Sequence, residues 1–185
     1  EHPVFEEGVV EERDGFKIEA HFLDHRIENI GWRITESDSV KFDSEKLRAQ
    51  RVLGPAVKEI EQKGSIMING REVHLDEVSW VRKGDTFAYV VDTRLCEGAY
   101  RIANGAKLLL CESTYSDSEK ELAHKHYHLT ASQAAELARD CGVGKMVLTH
   151  FSARYQNTKL LLYEAQKLFP NTHAAHDFKV IPFEK

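Results

Sequence analysis

An α/β fold is predicted for this chain, and three observations predict it. Apolar, strand-like runs at residues 87–91, 107–111 and 146–149 alternate with helix-patterned segments. A capping box of Thr130 and Gln133 opens an amphipathic helix whose Ala131, Ala134, Ala135, Ala138 and Cys141 share one face. A further helical pattern over about residues 157–169 is stopped by Pro170.

Taken in order, residues 16–23 alternate like a strand, as do 32–35, with a polar connection at 24–29 between them. Residues 39–62 are charged and broken by Gly54-Pro55, which predicts short helices around a loop. The run Ser-Ile-Met-Ile-Asn-Gly-Arg-Glu-Val-His-Leu at 65–75 is a hairpin signal, with Asn69-Gly70 suited to a type I′ turn. A helix is expected over 95–103. The stretch 123–128 is polar and just precedes the Thr130 helix, and a last strand is expected near 178–182.

Length and composition narrow the possibilities. The 185 residues suffice for one domain, or for about half of a larger one. A hydrophobic fraction of 42% with 30% charged residues is that of a soluble globular chain. No apolar run approaches the roughly 20 residues of a membrane span, and the first residues are too acidic for a signal peptide. Cys96, Cys111 and Cys141 lack metal-type spacing, so they are expected as small buried apolar groups in a reducing, cytoplasmic setting. A net charge of −5 argues against a whole-surface nucleic-acid binder and leaves room for a local basic patch. Ten histidines direct attention to metal chemistry.

Three successive strands end in Asp92, Glu112 and His150. Ligands of α/β sheets gather beyond the carboxyl ends of the strands, so these groups are expected to converge. Asp92 suits an Asx turn or a helix cap, and equally a carboxylate metal ligand. His150 on a neighbouring strand end suits zinc. His128, two residues ahead of the Thr130 cap, is placed to act as a general acid. His25 follows a strand, and spacing alone does not make it a ligand. His124 and His126 are expected in solvent, and His173 and His176 as structural groups. Arg154, at the turn into the last helix, is either a surface charge or a phosphate-binding guanidinium.

Several segments together resemble the ribonuclease Z family, tRNA 3′-processing endonucleases of the metallo-β-lactamase superfamily. The likeness runs from about Phe16 to Pro182 through Phe-Leu-Asp-His-Arg-Ile-Glu-Asn-Ile-Gly-Trp-Arg-Ile (22–34), Ala-Tyr-Val-Val-Asp-Thr-Arg (88–94), Leu-Leu-Leu-Cys-Glu-Ser-Thr-Tyr (108–115), His-Leu-Thr-Ala-Ser (128–132) and Leu-Thr-His-Phe-Ser-Ala-Arg-Tyr (148–155). It implies an αββα sandwich, present here as one partial domain over residues 1–185: the C-terminal half plus a hairpin and arm region. Residues 39–64, with the Gly-Pro motif, would be a protruding tRNA-binding arm. The resemblance further implies His25, Asp92 and His150 as zinc ligands, Asp92 bridging two ions, and His128 as the catalytic histidine. Glu112 would orient a ligand imidazole, while Ser152, Arg154 and Tyr155 would lie near the 3′ end of the tRNA body.

The implied activity is zinc-dependent hydrolytic removal of the 3′ trailer from precursor tRNA, in the cytoplasm, with no membrane or DNA partner. Val91, Leu129 and Trp32 depart from the family pattern, in which a glycine, a small residue and a tyrosine stand. The family's His-x-His-x-Asp-His motif has no match. The expectation is therefore a C-terminal portion that alone binds zinc weakly, does not cleave, and pairs with a second copy or an N-terminal segment. Another hydrolase of the same superfamily and a non-catalytic RNA-binding remnant are the competing expectations.

Overall fold

Strand pairing and local contacts sort the chain into two compact units in the computed structural model, which describes residues 3–183. One unit is drawn from the residues up to Glu36 and from Asp85 onward; the other is Ser37–Gly84. The first begins with three antiparallel strands, β1 (Gly8–Arg13), β2 (Phe16–Leu23) and β3 (Asn29–Glu36).

The second unit comprises β4 (Ser39–Phe42), α1 (Ser44–Ala49), α2 (Pro55–Lys63), β5 (Ser65–Ile68), β6 (Arg71–His74), α3 (Leu75–Val78) and β7 (Ser79–Arg82). β4 pairs with β7, and β5 with β6. Asp43 caps α1 by accepting the amides of Glu45 and Lys46, and Pro55 opens α2, where its missing N–H costs nothing. Asn69 and Gly70 both take positive φ, 50° and 80°, so the hairpin turns as its sequence predicts. Val52, Ile60, Ile66, Val73 and Val78 form this unit's own core.

The first unit resumes with β8 (Thr86–Val90), α4 (Glu97–Ala103), β9 (Leu108–Glu112), a 3-10 turn at Asp117–Glu119, α5 (Lys120–His126), α6 (Ala131–Asp140), β10 (Lys145–Thr149), α7 (Lys159–Leu168) and β11 (Thr172–Ala174). Its sheet has the order β1-β2-β3-β8-β9-β10-β11. β8 joins β3 antiparallel, whereas β8 through β11 run parallel with helical crossovers between them. The Thr130–Gln133 capping box opens α6 as predicted.

Alternation along the strands divides the sheet into two unlike faces. Ala88, Val90, Leu109, Cys111, Met146 and Leu148 are fully buried in one core cluster with residues of α4, α6 and α7. On the opposite face, Trp32 and Tyr89 are half-buried while Phe22 and Ile34 are exposed. α4 lies so close to β2 that a Cβ on Gly98 would stand 2.0 Å from the Phe22 carbonyl oxygen. Gly98→Ala is therefore expected to cost about 2–3 kcal/mol and lower the melting midpoint by roughly 5–10 °C, readable by calorimetry.

Two sequence expectations are corrected. The strand expected near 178–182 is absent. The edge of β10 is instead taken by Thr172–Ala174, directly after α7, while the 178–182 stretch has no regular structure and Pro182 could not donate to a ladder. His124 and His126, to which the sequence assigned no element, lie in helix α5, His124 exposed and His126 half-buried. Residues 39–42 form a strand, because β7 offers them an antiparallel partner.

Candidate metal centre

β8, β9 and β10 end side by side, and residues at or just past those ends set the site. Asp92 and His150, each just past its strand, take left-handed backbone conformations with φ of 56° and 55°. Such conformations are uncommon for residues with a Cβ and persist only when neighbours hold them. At Asp92 the holder is Asn29, whose amide nitrogen donates to the carbonyls of Val91 (2.7 Å) and Asp92 (2.8 Å). The positive φ falls on Asp92 and not on Val91, so the absence of glycine at 91 carries no backbone strain.

Asp92, Glu112, His128 and His150 each offer a ligand atom, and these atoms all lie within 4.8 Å of one another. His150 Nε2 is 2.9 Å from Asp92 Oδ1. The His128 ring lies between two others, 5.2 Å from His25 and 5.3 Å from His150, centroid to centroid. His25 Nδ1 sits 3.2 Å from the Tyr127 carbonyl, which can only accept, so Nδ1 carries the proton and Nε2 the lone pair. His25 thus stands beside the four-residue group rather than within it.

Glu112 is wholly buried, and its carboxylate receives four donors. Oε1 accepts the Thr93 amide (2.6 Å) and His128 Nδ1 (3.1 Å); Oε2 accepts the Thr114 hydroxyl (2.7 Å) and the Leu129 amide (2.9 Å). That saturation offsets the several kcal/mol that burying a carboxylate would cost. The hydrogen bond to Glu112 holds the His128 imidazole above the ordinary histidine value, against the opposing effect of burial. Thr114 passes the connection on, with its hydroxyl 2.9 Å from His150 Nδ1. Glu112 therefore touches His128 directly and reaches His150 through Thr114.

Ser152, Arg154 and Tyr155 lie just past His150 and are held by the segment that follows β9. Ser152 donates its amide to the Thr114 carbonyl, and its hydroxyl accepts Arg154 Nε at 3.2 Å. Arg154 pairs with Glu119 and lies over the Tyr115 ring at 5.0 Å. The Tyr155 hydroxyl accepts the Ser116 amide (2.8 Å) and donates to Glu119. Burial, with that bond to Glu119, pushes the Tyr155 phenol up.

The Glu119 carboxyl is held below its ordinary value near 4.5, chiefly by the Tyr155 hydrogen bond and then by Arg154. A depressed carboxyl contributes stability that is present above the unfolded value and lost as pH falls through the folded one. The stability difference between the parent chain and Glu119→Gln is expected to be full above about pH 4.5 and to shrink below it, as urea titrations at several pH values would show. Sequence reading passed over Asn29, Thr114 and Glu119. Thr114 adjoins Glu112 in sequence, but only the fold brings Asn29 to Asp92 and Glu119 to Arg154.

A sheet whose parallel strands deliver histidines and carboxylates to one end, with helices on one face, defines an α/β domain with a candidate metal-binding end. Residues 48–151 match the model of the beta-lactamase superfamily domain, and the chain belongs to that superfamily. Within it, the chain is 54% identical over all 185 residues to ribonuclease Z of Protochlamydia amoebophila and 46% identical to that of Chlamydia trachomatis serovar D. It spans about 60% of the length of these relatives: 60% of the first and 61% of the second. Among solved structures, human tRNase Z short form superposes with a TM-score of 0.59 at 22% identity, covering 96% of this chain and 47% of that one. The metallo-beta-lactamase fold protein YhfI of Bacillus subtilis gives 0.56 at 16% identity, over 89% and 48%. These structural likenesses concern the fold, here one sheet of the αββα sandwich with its helical layer.

Proposed function

We propose that this chain is the C-terminal portion of a zinc-dependent endoribonuclease that removes the 3′ trailer of precursor tRNA. The observation that carries the proposal is the Glu112–His128 pair standing beside Asp92 and His150, in a chain 54% identical to a ribonuclease Z. The donor set fits zinc, since imidazole and carboxylate are its usual nitrogen and oxygen ligands. His25, Asp92 and His150 would hold the metal, with Asp92 offering two oxygens for two ions.

Bound zinc supplies a water acidified to a pKa of roughly 7 and a clamp for the scissile phosphate. The chain's own residues do the rest. His128, whose Nδ1 is hydrogen-bonded to Glu112, would in its protonated form give the proton on Nε2 to the departing 3′ oxygen, while its Nδ1–H remains on Glu112. Arg154, with Ser152 and Tyr155 beside it, meets the end of the tRNA body. Residues 39–64 carry Lys41, Lys46, Arg48, Arg51, Lys58 and Lys63. Against them stand Asp43, Glu45, Glu59 and Glu61, with Glu59 paired to Lys63, so the net basic character is slight and only a modest, salt-sensitive contribution to tRNA binding is proposed for this arm.

Three ligands divided between two ions leave each below the three or four protein ligands that zinc sites use. The chain alone is therefore expected to hold zinc weakly and to leave precursor tRNA uncut, with activity appearing when a His-x-His-x-Asp-His segment is supplied. Metal analysis and a cleavage assay test this; robust cleavage by the chain alone would overturn it. The sheet face bearing Trp32 and Tyr89 is the surface that an N-terminal segment or a second copy would cover, and sedimentation separates the two. No helix among the described residues is long and apolar enough to cross a membrane, and a cytoplasmic location is proposed with the tRNA substrate.

A further inference from the structure

Helix α5 ends in an unusual way. Tyr127 takes the left-handed position at φ 63°, its amide bonding back to Ala123 and His124 while the His128 amide bonds to Ala123. Glycine is the usual occupant of that position, because a Cβ is unfavourable there. A tyrosine in its place implies a use for the ring, and the ring supports guanidinium groups. Arg94 lies over it at 4.4 Å and Arg26 at 5.9 Å.

The two arginines differ in charge balance. Arg94 is ion-paired to Asp24 at 2.5 Å, so its charge is compensated. Arg26 has no carboxylate partner among the described residues. One of its nitrogens donates to the Lys125 carbonyl (3.1 Å), an acceptor left over at the helix end, and lies 3.1 Å from His126 Nδ1. A guanidinium can only donate, so His126 accepts there, and that nitrogen carries no proton. Arg26 is exposed, fixed in position by neutral groups, and next in sequence to His25 at the edge of the metal-binding cluster. An oriented, uncompensated cation at that place is suited to an anion.

We propose that Arg26 is a phosphate-binding residue for single-stranded RNA at the mouth of the metal-binding cluster, with the Tyr127 turn as its positioning support. The choice of RNA rests on the nuclease reading above. The planar fork matches two oxygens of a phosphodiester, and a single strand lets that phosphate approach the site without a duplex partner in the way. The remaining Arg26 nitrogens make these contacts while the carbonyl and His126 hold the group still.

The test is binding of a short, labelled, uridine-rich oligoribonucleotide to this chain in EDTA, followed by fluorescence anisotropy across salt concentrations. Arg26→Gln can still donate to the Lys125 carbonyl but has lost its charge. It is expected to lower the slope of log affinity against log salt by about 0.7, the share of one phosphate on a single strand, whereas Arg26→Lys keeps the slope. Tyr127→Leu keeps the charge but removes the support, so binding is expected to weaken severalfold with the slope unchanged. Equal slopes for the parent and Arg26→Gln, or no RNA binding by the parent, would overturn the proposal. Neither result touches the metal-centre reading, which zinc analysis and cleavage test independently.

Discussion

Replacement of Glu112 by alanine is expected to destabilise the chain by about 3–5 kcal/mol, the range for removing one partner from a buried charged network. The melting midpoint should fall by roughly 10–15 °C. Four donors converge on this carboxylate, and two of them, the Thr93 and Leu129 amides, are backbone groups that cannot turn away. Each sits on a different oxygen. Glutamine is therefore no harmless substitute: in either orientation its NH2 group faces one of those amides, N–H against N–H. Glu112→Gln is expected to cost about 1–3 kcal/mol, one unsatisfied buried donor, and to return the His128 imidazole towards its ordinary value. Denaturant unfolding and an NMR titration of His128 in chelator read the two effects separately. A Glu112→Gln chain as stable as the parent would contradict the saturated carboxylate.

The sequence revealed the site's frame because that frame depends on period and direction. Apolar runs ending in Asp92, Glu112 and His150 had to be buried strands, and parallel buried strands present their carboxyl ends together. The Asn69-Gly70 hairpin and the Thr130 cap were legible for a similar reason: each is a local device whose chemistry lies within a few residues. What stayed hidden was non-local or very short. The bonds from Asn29 to the Asp92 turn span 62 and 63 positions, and no pattern along the chain announces them. The three residues of β11 are too few to show alternation. The left-handed backbones at Asp92 and His150 follow from the tertiary hold on them, not from residue preference. Helix α5 went unread because its seven residues hold only two apolar ones, Leu122 and Ala123, too few to mark a stripe.

His150→Ala should abolish what metal affinity the chain has, and Thr114→Val should weaken it by about 10–100-fold, the usual cost of losing a partner that orients a ligand imidazole. The reasoning lies in proton accounting at one hydroxyl. Thr114 has a single proton and three acceptor-side neighbours: Glu112 Oε2 at 2.7 Å, His150 Nδ1 at 2.9 Å and the His150 carbonyl at 3.0 Å. The carboxylate is the strongest acceptor of the three and takes that proton. The contact with Nδ1 then holds only if the imidazole donates to the Thr114 oxygen, which puts the ring proton on Nδ1 and the lone pair on Nε2. That lone pair faces Asp92 Oδ1 at 2.9 Å, an approach that needs a proton or a metal cation between the two groups. Valine, equal in shape, removes the hydroxyl and leaves the ring free to take either tautomer. Nitrogen-15 shifts of His150 should accordingly change from one tautomer to a mixture in Thr114→Val and return in Thr114→Ser, with zinc affinity following the same order in a competition titration. An unchanged tautomer in the valine variant would remove Thr114, and with it Glu112, from any part in setting which His150 nitrogen offers its lone pair.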